Sequence, residues 1–440
     1  MARLLSPLRC CWLMLPVTLV SLAAWMLLTG PNELTSHLRH QDTWWDYTDA
    51  NLSSKGTLNC DAVLRGEPEA VEQAKLLSLE QLFRKRNRLS DDHFLNVSKD
   101  CDTFLSSRKY LPFPLSREEA EFPIAFSLVV HHKVHNFERL LRSIYAPQNF
   151  YCVHVDTKAP ASVLDAVTSI TSCFQNVFLC SRPVEVVYAG WSRVQADINC
   201  MRDLYNISAS WKYFVNLCGQ DFPIKTNLEM VRSLKALKGR NSMESENMPS
   251  KEGRWKKVHA VVNGQVQRTE EDKSPPPFNL PIKSGGAYMV VTRGFVEHVL
   301  TDSRVLELLK WAEDTYSPDE FLWATIQRMP RVPGSLRPSA KYDTSDMQAI
   351  AKLVKWQWHE GAEEAKEAVY PPCQGRHVRS VCVYGAGDLW WMLQQHHLFA
   401  NKFDVDEDLV AVHCLEKHLR NKALTFTRVR GSTARQSGQS

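Results

Sequence analysis

This chain has 440 residues and a net charge of only +4, so bulk electrostatics gives no reason to expect a nucleic-acid partner, and any anion must be met by local placement of cations. Its 12 cysteines include no CxxC pair and no Cys/His cluster at zinc spacing, which argues against a metal finger.

After Arg3 and Arg9 the chain runs uncharged from Cys10 to Gly30 through Trp12, Leu13, Leu15, Val17, Leu19, Val20, Leu22, Trp25 and Leu28. As a helix this crosses about 30 Å of hydrocarbon. Ser21-Leu22-Ala23 offers a cleavage site, but the apolar run exceeds the usual signal-peptide core, so residues 10–30 are read as an uncleaved anchor. The preceding arginines keep residues 1–9 cytoplasmic and send the rest to the lumen, giving a single-pass type II membrane protein. Sequons at Asn51, Asn96 and Asn206 agree with a luminal body. Cys10 and Cys11 lie in the anchor. Most of Cys60, Cys101, Cys152, Cys173, Cys180, Cys200, Cys218, Cys373, Cys382 and Cys414 are expected as disulfides in an oxidising compartment.

Residues 31–120 are polar and mixed in charge, a luminal stem that becomes ordered towards its end. The catalytic body is assigned to 121–428 and a polar, frayed tail to 429–440. Phe122 to His132 is a continuous apolar run of buried-strand type, Phe137, Leu140, Leu141 and Ile144 mark a helix, and Phe150 to Asp156 is a second buried strand. Strand, helix and strand in close succession make a βαβ unit and imply a parallel sheet in an α/β domain. Val184 to Tyr188 reads as a short strand, Arg193 to Tyr205 as an amphipathic helix and Lys212 to Cys218 as another strand. Ser274-Pro275-Pro276-Pro277 is a loop, after which Gly285 to Val291 restarts the pattern. Ligands of open α/β sheets bind beyond the carboxyl ends of the strands, so His131, Asp156 and Asp221 are expected at one crevice.

Further on, Thr315 to Gln327 sets a pair of carboxylates at the mouth of a helix, with Ser317 as N-cap, Pro318 first and Glu320 third. A carboxylate there feels the positive end of the helix dipole and suits a general base. Ser-x-x-Glu is equally the pattern of a capping box, in which Glu320 folds back on the Ser317 N–H and does no chemistry.

The runs Asn149 to Asp156, Trp191 to Asp197, Asp221 to Lys225, Tyr316 to Glu320 and Tyr384 to Leu389, together with the cysteine spacing, resemble those of the core 2 β-1,6-N-acetylglucosaminyltransferases from about residue 56 to 425. The resemblance implies a glycosyltransferase A-type fold, a Rossmann-like mixed sheet flanked by helices. It also implies an inverting, metal-independent transfer of GlcNAc from UDP-GlcNAc to the GalNAc 6-hydroxyl of Galβ1-3GalNAc on mucin-type glycoproteins, in the Golgi membrane. Carried over by position, Val129, Val130, His131, Asp156, Thr157, Lys158 and Tyr188 match the uridine site. Arg379 and Lys402 match the diphosphate cations, Glu244, Lys251, Arg254, Trp356 and Trp358 the acceptor site, and Glu320 the base. No metal or other cofactor is implied, and a homodimer is left open. Gly219-Gln220-Asp221 supplies one carboxylate where a manganese site would want an Asp-x-Asp pair, and Asp404-x-Asp406 reads as a solvated helix start. The resemblance implies bridges Cys60–Cys414, Cys101–Cys173, Cys152–Cys200 and Cys373–Cys382, a free Cys218 and an extra Cys180. Trp358 stands where close relatives tend to carry tyrosine, which leaves core 3 (core 4) or poly-lactosamine (I-branch) acceptors as alternatives. Outside the enzymes, an inactive sugar-binding protein of the secretory pathway is the other reading.

Overall fold

A computed structural model describes residues 58–80, 85, 87–247, 249–335, 348–361 and 369–436. The expected anchor at 10–30, the cytoplasmic residues 1–9 and Asn51 lie outside these. Among the described residues no helix is long and apolar enough to cross a membrane. Two compact units divide the chain, and the fold described here lies in Ala50–Thr427.

Its centre is a five-stranded sheet ordered β3-β2-β1-β4-β8. Strands β1 (Ile124–Val130), β2 (Phe150–Val155), β3 (Val177–Leu179) and β4 (Tyr213–Cys218) are parallel, and β8 (Val290–Thr292) closes the sheet antiparallel to β4. Every residue of β1 is buried, as its apolar run requires of a strand covered on both faces. The helix Val134–Ile144 returns the chain from β1 to β2, and Trp191–Ile207 packs against both strands. A second sheet is ordered β5-β12-β9, from β5 (Asp221–Pro223), β9 (Lys352–Val354) and β12 (Phe399–Asn401). Two hairpins complete the strands, β6 (Lys257–Val262) with β7 (Gln265–Asp272), and β10 (Arg376–Val378) with β11 (Val381–Val383).

Two sequence expectations are corrected. The segment assigned to a stem folds from Cys60 onward as short helices, and Phe94 and Phe104 of that segment are fully buried in the main core. Burying each such side chain contributes about 1.5–3 kcal/mol, and Arg108 adds a 2.6 Å ion pair to the buried Glu138, so these helices belong to the body. Secondly, Val184 to Tyr188 is not a strand; β3 lies earlier. The amides of this segment are satisfied by side chains instead: Val184 N–H donates to His154 Nε2 (2.9 Å), Val186 N–H to Asp156 Oδ1 (3.3 Å) and Val187 N–H to Ser192 Oγ (2.8 Å). At the other end the final helix runs Leu409–Gln436, so most of the expected frayed tail has helical backbone.

Candidate active site

The candidate donor residues follow the carboxyl ends of the parallel strands. His131 follows β1 and stacks on His132, with ring centroids 3.9 Å apart. Asp156 follows β2 and is buried. Its Oδ1 accepts the Lys158 N–H (3.1 Å) as well as that of Val186, while Lys158 Nζ donates to the Val186 carbonyl. Thr157 N–H reaches the Val184 carbonyl at 3.3 Å. Asp156 therefore shapes the loop leading to Tyr188, which is 72% exposed. Val129 and Val130 are both buried. The Val130 side chain is sealed in the core, and its contribution is a carbonyl that accepts the Asp156 N–H at 2.9 Å.

Arg379 lies over the Tyr188 ring, its guanidinium carbon 4.9 Å from the centroid. It sits at the tip of the β10–β11 hairpin, where Arg379 (φ 52) and Ser380 (φ 60) both hold left-handed backbone. A two-residue turn of this kind normally asks for Asn-Gly, so an arginine held there is a site of local strain. Lys402 Nζ donates to the Val378 carbonyl of the same hairpin at 3.3 Å. Burial, with Arg379 adding to it against the opposing pull of Cys218, lowers Lys402 from the ordinary ammonium range. Neither cation pairs with a carboxylate among the described residues, which makes their hairpin a receptive place for an anion.

The turn carrying Glu320 is tied to this donor side: Ser317 N–H donates to the carbonyl of Ala189, next to Tyr188, at 2.8 Å. The capping box does not form. Ser317 has left-handed backbone (φ 46) and makes no side-chain cap, Pro318–Glu320 is a single 3-10 turn, and the helix starts at Leu322. Glu320 is left with its side chain 39% exposed and its Oε2 2.5 Å from Arg254 Nη1. Arg254 ends the turn Pro249–Arg254, which also carries Lys251, and its carbonyl accepts the Tyr316 N–H at 2.9 Å.

Glu244 arrives through a backbone constraint. Gly285 N–H donates to the Glu320 carbonyl at 2.8 Å. A Cβ on Gly285 would collide with the Glu244 carbonyl oxygen and lie 2.8 Å from Ala324 Cβ, and one on Gly286 would lie 2.9 Å from Glu244 Oε2. Only glycine lets the chain pass between the two acidic residues. Trp356 and Trp358 stack with centroids 4.8 Å apart, and the Gln357 N–H between them donates to the Ser380 carbonyl at 2.9 Å, beside Arg379. A chain of contacts thus links a cationic hairpin, an exposed carboxylate held by an arginine, and a pair of stacked tryptophans.

A family model described as Core-2/I-Branching enzyme matches residues 124–393. "Beta-1,3-galactosyl-O-glycosyl-glycoprotein beta-1,6-N-acetylglucosaminyltransferase" of Homo sapiens is 59% identical over 376 residues, 85% of this chain and 88% of that protein. The Homo sapiens protein whose name is the same with a final 3 is 56% identical over 382 residues, 87% of each chain. A Bovine herpesvirus 4 protein of the same name is 55% identical over 382 residues, 87% of this chain and 86% of its own. The chain belongs to the core-2/I-branching enzymes.

Asp221, expected at the crevice, is a structural group in this member of the family. It is 1% exposed; Oδ2 accepts Lys352 Nζ (2.5 Å) and the Cys218 N–H (2.7 Å), and Oδ1 accepts Asn401 Nδ2 (2.7 Å). Lys352 is the residue sequence reasoning missed. The signal was present, because two lysines in the apolar run Ala351 to Lys355 need buried carboxylates, and Lys355 finds its own in Asp388 at 2.8 Å. Asp404 and Asp406 do not start a solvated helix either; Lys133 pairs with them at 2.5 and 2.9 Å. Asp319, the other carboxylate of the pair read in the sequence, was given no role there. Burial pushes the Asp319 carboxyl up to about 6 against the pull of Arg193, with Glu320 raising it further, and Arg193 itself pairs with Asp197 at 2.7 Å.

Disulfides Cys60–Cys414, Cys101–Cys173 and Cys373–Cys382 are formed. The implied Cys152–Cys200 bridge is not: both remain thiols, with their Sγ atoms 2.8 Å apart. Cys180 is the reason the pairing is ambiguous, since the sulfurs of Cys152, Cys180 and Cys200 all lie within 4.8 Å of one another. In an oxidising compartment this trio should hold one bridge and one thiol. Alkylation under denaturing, non-reducing conditions followed by peptide mapping checks this, and alkylation of all three of Cys152, Cys180 and Cys200 would contradict it. Asn96 and Asn206 are both exposed, so either could carry a glycan.

Proposed function

We propose that this protein transfers GlcNAc from UDP-GlcNAc in β1,6 linkage to the GalNAc of Galβ1-3GalNAc-Ser/Thr, the branching reaction that forms core 2 O-glycans. What carries the reading is Glu320, an exposed carboxylate held by Arg254, linked through the Ser317–Ala189 hydrogen bond to the side of the fold where Arg379 and Lys402 have no carboxylate partner among the described residues. The names of the relatives at 55–59% identity support the acceptor and donor chemistry.

The residues then divide the work as follows. Asp156, with the loop it orders and Tyr188, receives the uridine. Arg379 and Lys402 neutralise the diphosphate, where negative charge grows as the bond from C1 of GlcNAc to the UDP oxygen breaks. Trp356 and Trp358 offer a stacking face for the acceptor sugars, and Glu244, Lys251 and Arg254 offer polar contacts. Glu320 takes the proton of the GalNAc 6-hydroxyl as that oxygen forms the new bond to C1, with inversion. Glycosidases that invert need a second carboxyl to protonate a poor leaving group, whereas UDP leaves as a stable anion, so one base suffices.

The reaction is proposed to need no divalent ion. Asp221 stands where a metal-binding carboxylate would be sought, and both its oxygens are already committed to Lys352, Asn401 and the Cys218 N–H. Activity is therefore expected to persist in excess EDTA; a loss that manganese restores would contradict this role for Arg379 and Lys402. The proposed setting is the Golgi membrane, anchored through residues 10–30 with the body in the lumen. Screening the purified full-length protein against Galβ1-3GalNAc, GlcNAcβ1-3GalNAc and poly-lactosamine acceptors tests the function. Preference for either of the latter two would replace core 2 formation with core 4 or I-type branching, and no transfer to any would favour an inactive sugar-binding protein.

A further inference from the structure

Glu360 and His377 lie outside the set just described, yet each belongs to a different side of it. Glu360 follows the turn Gln357–His359 that begins beside Trp356 and contains Trp358. His377 is in β10, on the hairpin whose tip is Arg379. His377 Nε2 and Glu360 Oε1 are 2.7 Å apart, and Glu360 Oε2 accepts the Cys373 N–H at 2.9 Å. The Glu360 side chain is only 9% exposed, so its carboxylate depends on these two partners. An exposed ion pair would be worth little, but a sheltered carboxylate with both oxygens engaged resists separation.

What the pair connects is under strain at the hairpin end, while the tryptophan turn is otherwise tied to Val369 and Tyr370. The Arg379–Ser380 turn has two non-glycine residues in left-handed backbone. The tryptophan turn meets the hairpin through the Gln357 to Ser380 hydrogen bond and an antiparallel bridge between Trp356 and Val381. The Cys373–Cys382 disulfide fixes the base of the hairpin and presents the Cys373 N–H to Glu360. We propose that Glu360 and His377 are positioning residues that lock the acceptor-side tryptophan turn to the hairpin bearing Arg379, so that donor and acceptor subsites are assembled as one unit. The proposal rests on reading Trp358 and Arg379 as ligand contacts.

Glu360→Ala, His377→Ala and their double variant, with Glu360→Gln, Arg379→Ala and Trp358→Ala alongside, test it in the full-length enzyme. The measurements are the UDP Kd by calorimetry and the acceptor KM and kcat for Galβ1-3GalNAc. Each alanine variant should weaken both UDP and acceptor binding, on the order of tenfold. The double variant should be no worse than Glu360→Ala alone, because His377 acts through its contact with Glu360. Glu360→Gln, which keeps an acceptor oxygen, should recover most of the loss. A lower melting midpoint with unchanged UDP Kd and acceptor KM would make the pair merely structural and overturn the proposal, as would additive losses in the double variant. If Arg379→Ala keeps the wild-type UDP Kd and Trp358→Ala the wild-type acceptor KM, the subsite reading itself is wrong and the coupling falls with it. If those controls act and the Glu360 and His377 variants do not, only the coupling is refuted.

Discussion

Glu320→Gln is expected to lower turnover with Galβ1-3GalNAc by about 100- to 10,000-fold, the usual cost of removing a general base, while UDP-GlcNAc affinity stays nearly unchanged. The separation follows from the layout of the residues. Glu320 pairs with Arg254, which is proposed to meet the acceptor, whereas the donor is proposed to meet the Asp156 loop and the Arg379 hairpin. Glutamine keeps the size of the side chain and an oxygen towards Arg254, so the local turn should survive; what disappears is the ability to take the hydroxyl proton. Pre-steady-state measurement of the transfer step, with UDP-GlcNAc binding measured separately by calorimetry, checks both halves. Normal turnover would remove Glu320 from the chemistry, and a large loss of donor affinity would move it to the wrong subsite.

Lys352→Ala should destabilise the fold by about 3–5 kcal/mol, because it strands the Asp221 carboxylate in a buried site. The ammonium and carboxylate are 1% and 0% exposed at the side-chain level, so water cannot replace the lost partner. The paired change Lys352→Met with Asp221→Asn removes both charges and retains one side-chain oxygen to accept the Cys218 N–H, while Asn401 can turn its own amide oxygen towards the new NH2; it should recover much of the loss. Denaturant unfolding of the three proteins checks the energies. UDP binding to the double variant should match the wild type, since Asp221 is a brace between β4, β5, β9 and β12 and not a ligand. Weaker UDP binding in a stably folded double variant would return Asp221 to the crevice.

What the sequence made legible follows from how local each signal is. β1, β2 and β4 are apolar apart from Ser127, His154 and Asn216, as suits strands covered on both faces, and the parallel sheet follows from them. Short β3 carries too few residues to show a period, and the Val184 to Tyr188 segment imitates a strand by its valines while its amides are satisfied by His154, Asp156 and Ser192. Phe94 and Phe104 sit with Leu95 and Leu105 in one-to-two-turn helices that are otherwise largely polar, too short to show a period, so their burial against the main core was hidden. At Tyr316 to Glu320 the motif marks an exposed carboxylate, but the helix it was expected to open starts only at Leu322, because Ser317 turns left-handed and makes no cap. The site was unreadable where a partner is remote: Lys352 meets Asp221 across 131 positions, and Cys180 joins Cys152 and Cys200 only in three dimensions.

A crystal structure of the full-length protein with UDP and Galβ1-3GalNAc bound together bears most directly on Glu320 as the base. The expected result is the Glu320 carboxylate within about 2.6–3.2 Å of the GalNAc 6-hydroxyl oxygen, with Arg379 and Lys402 on the diphosphate. An acceptor seated away from Glu320, with that carboxylate still closed on Arg254, would contradict it.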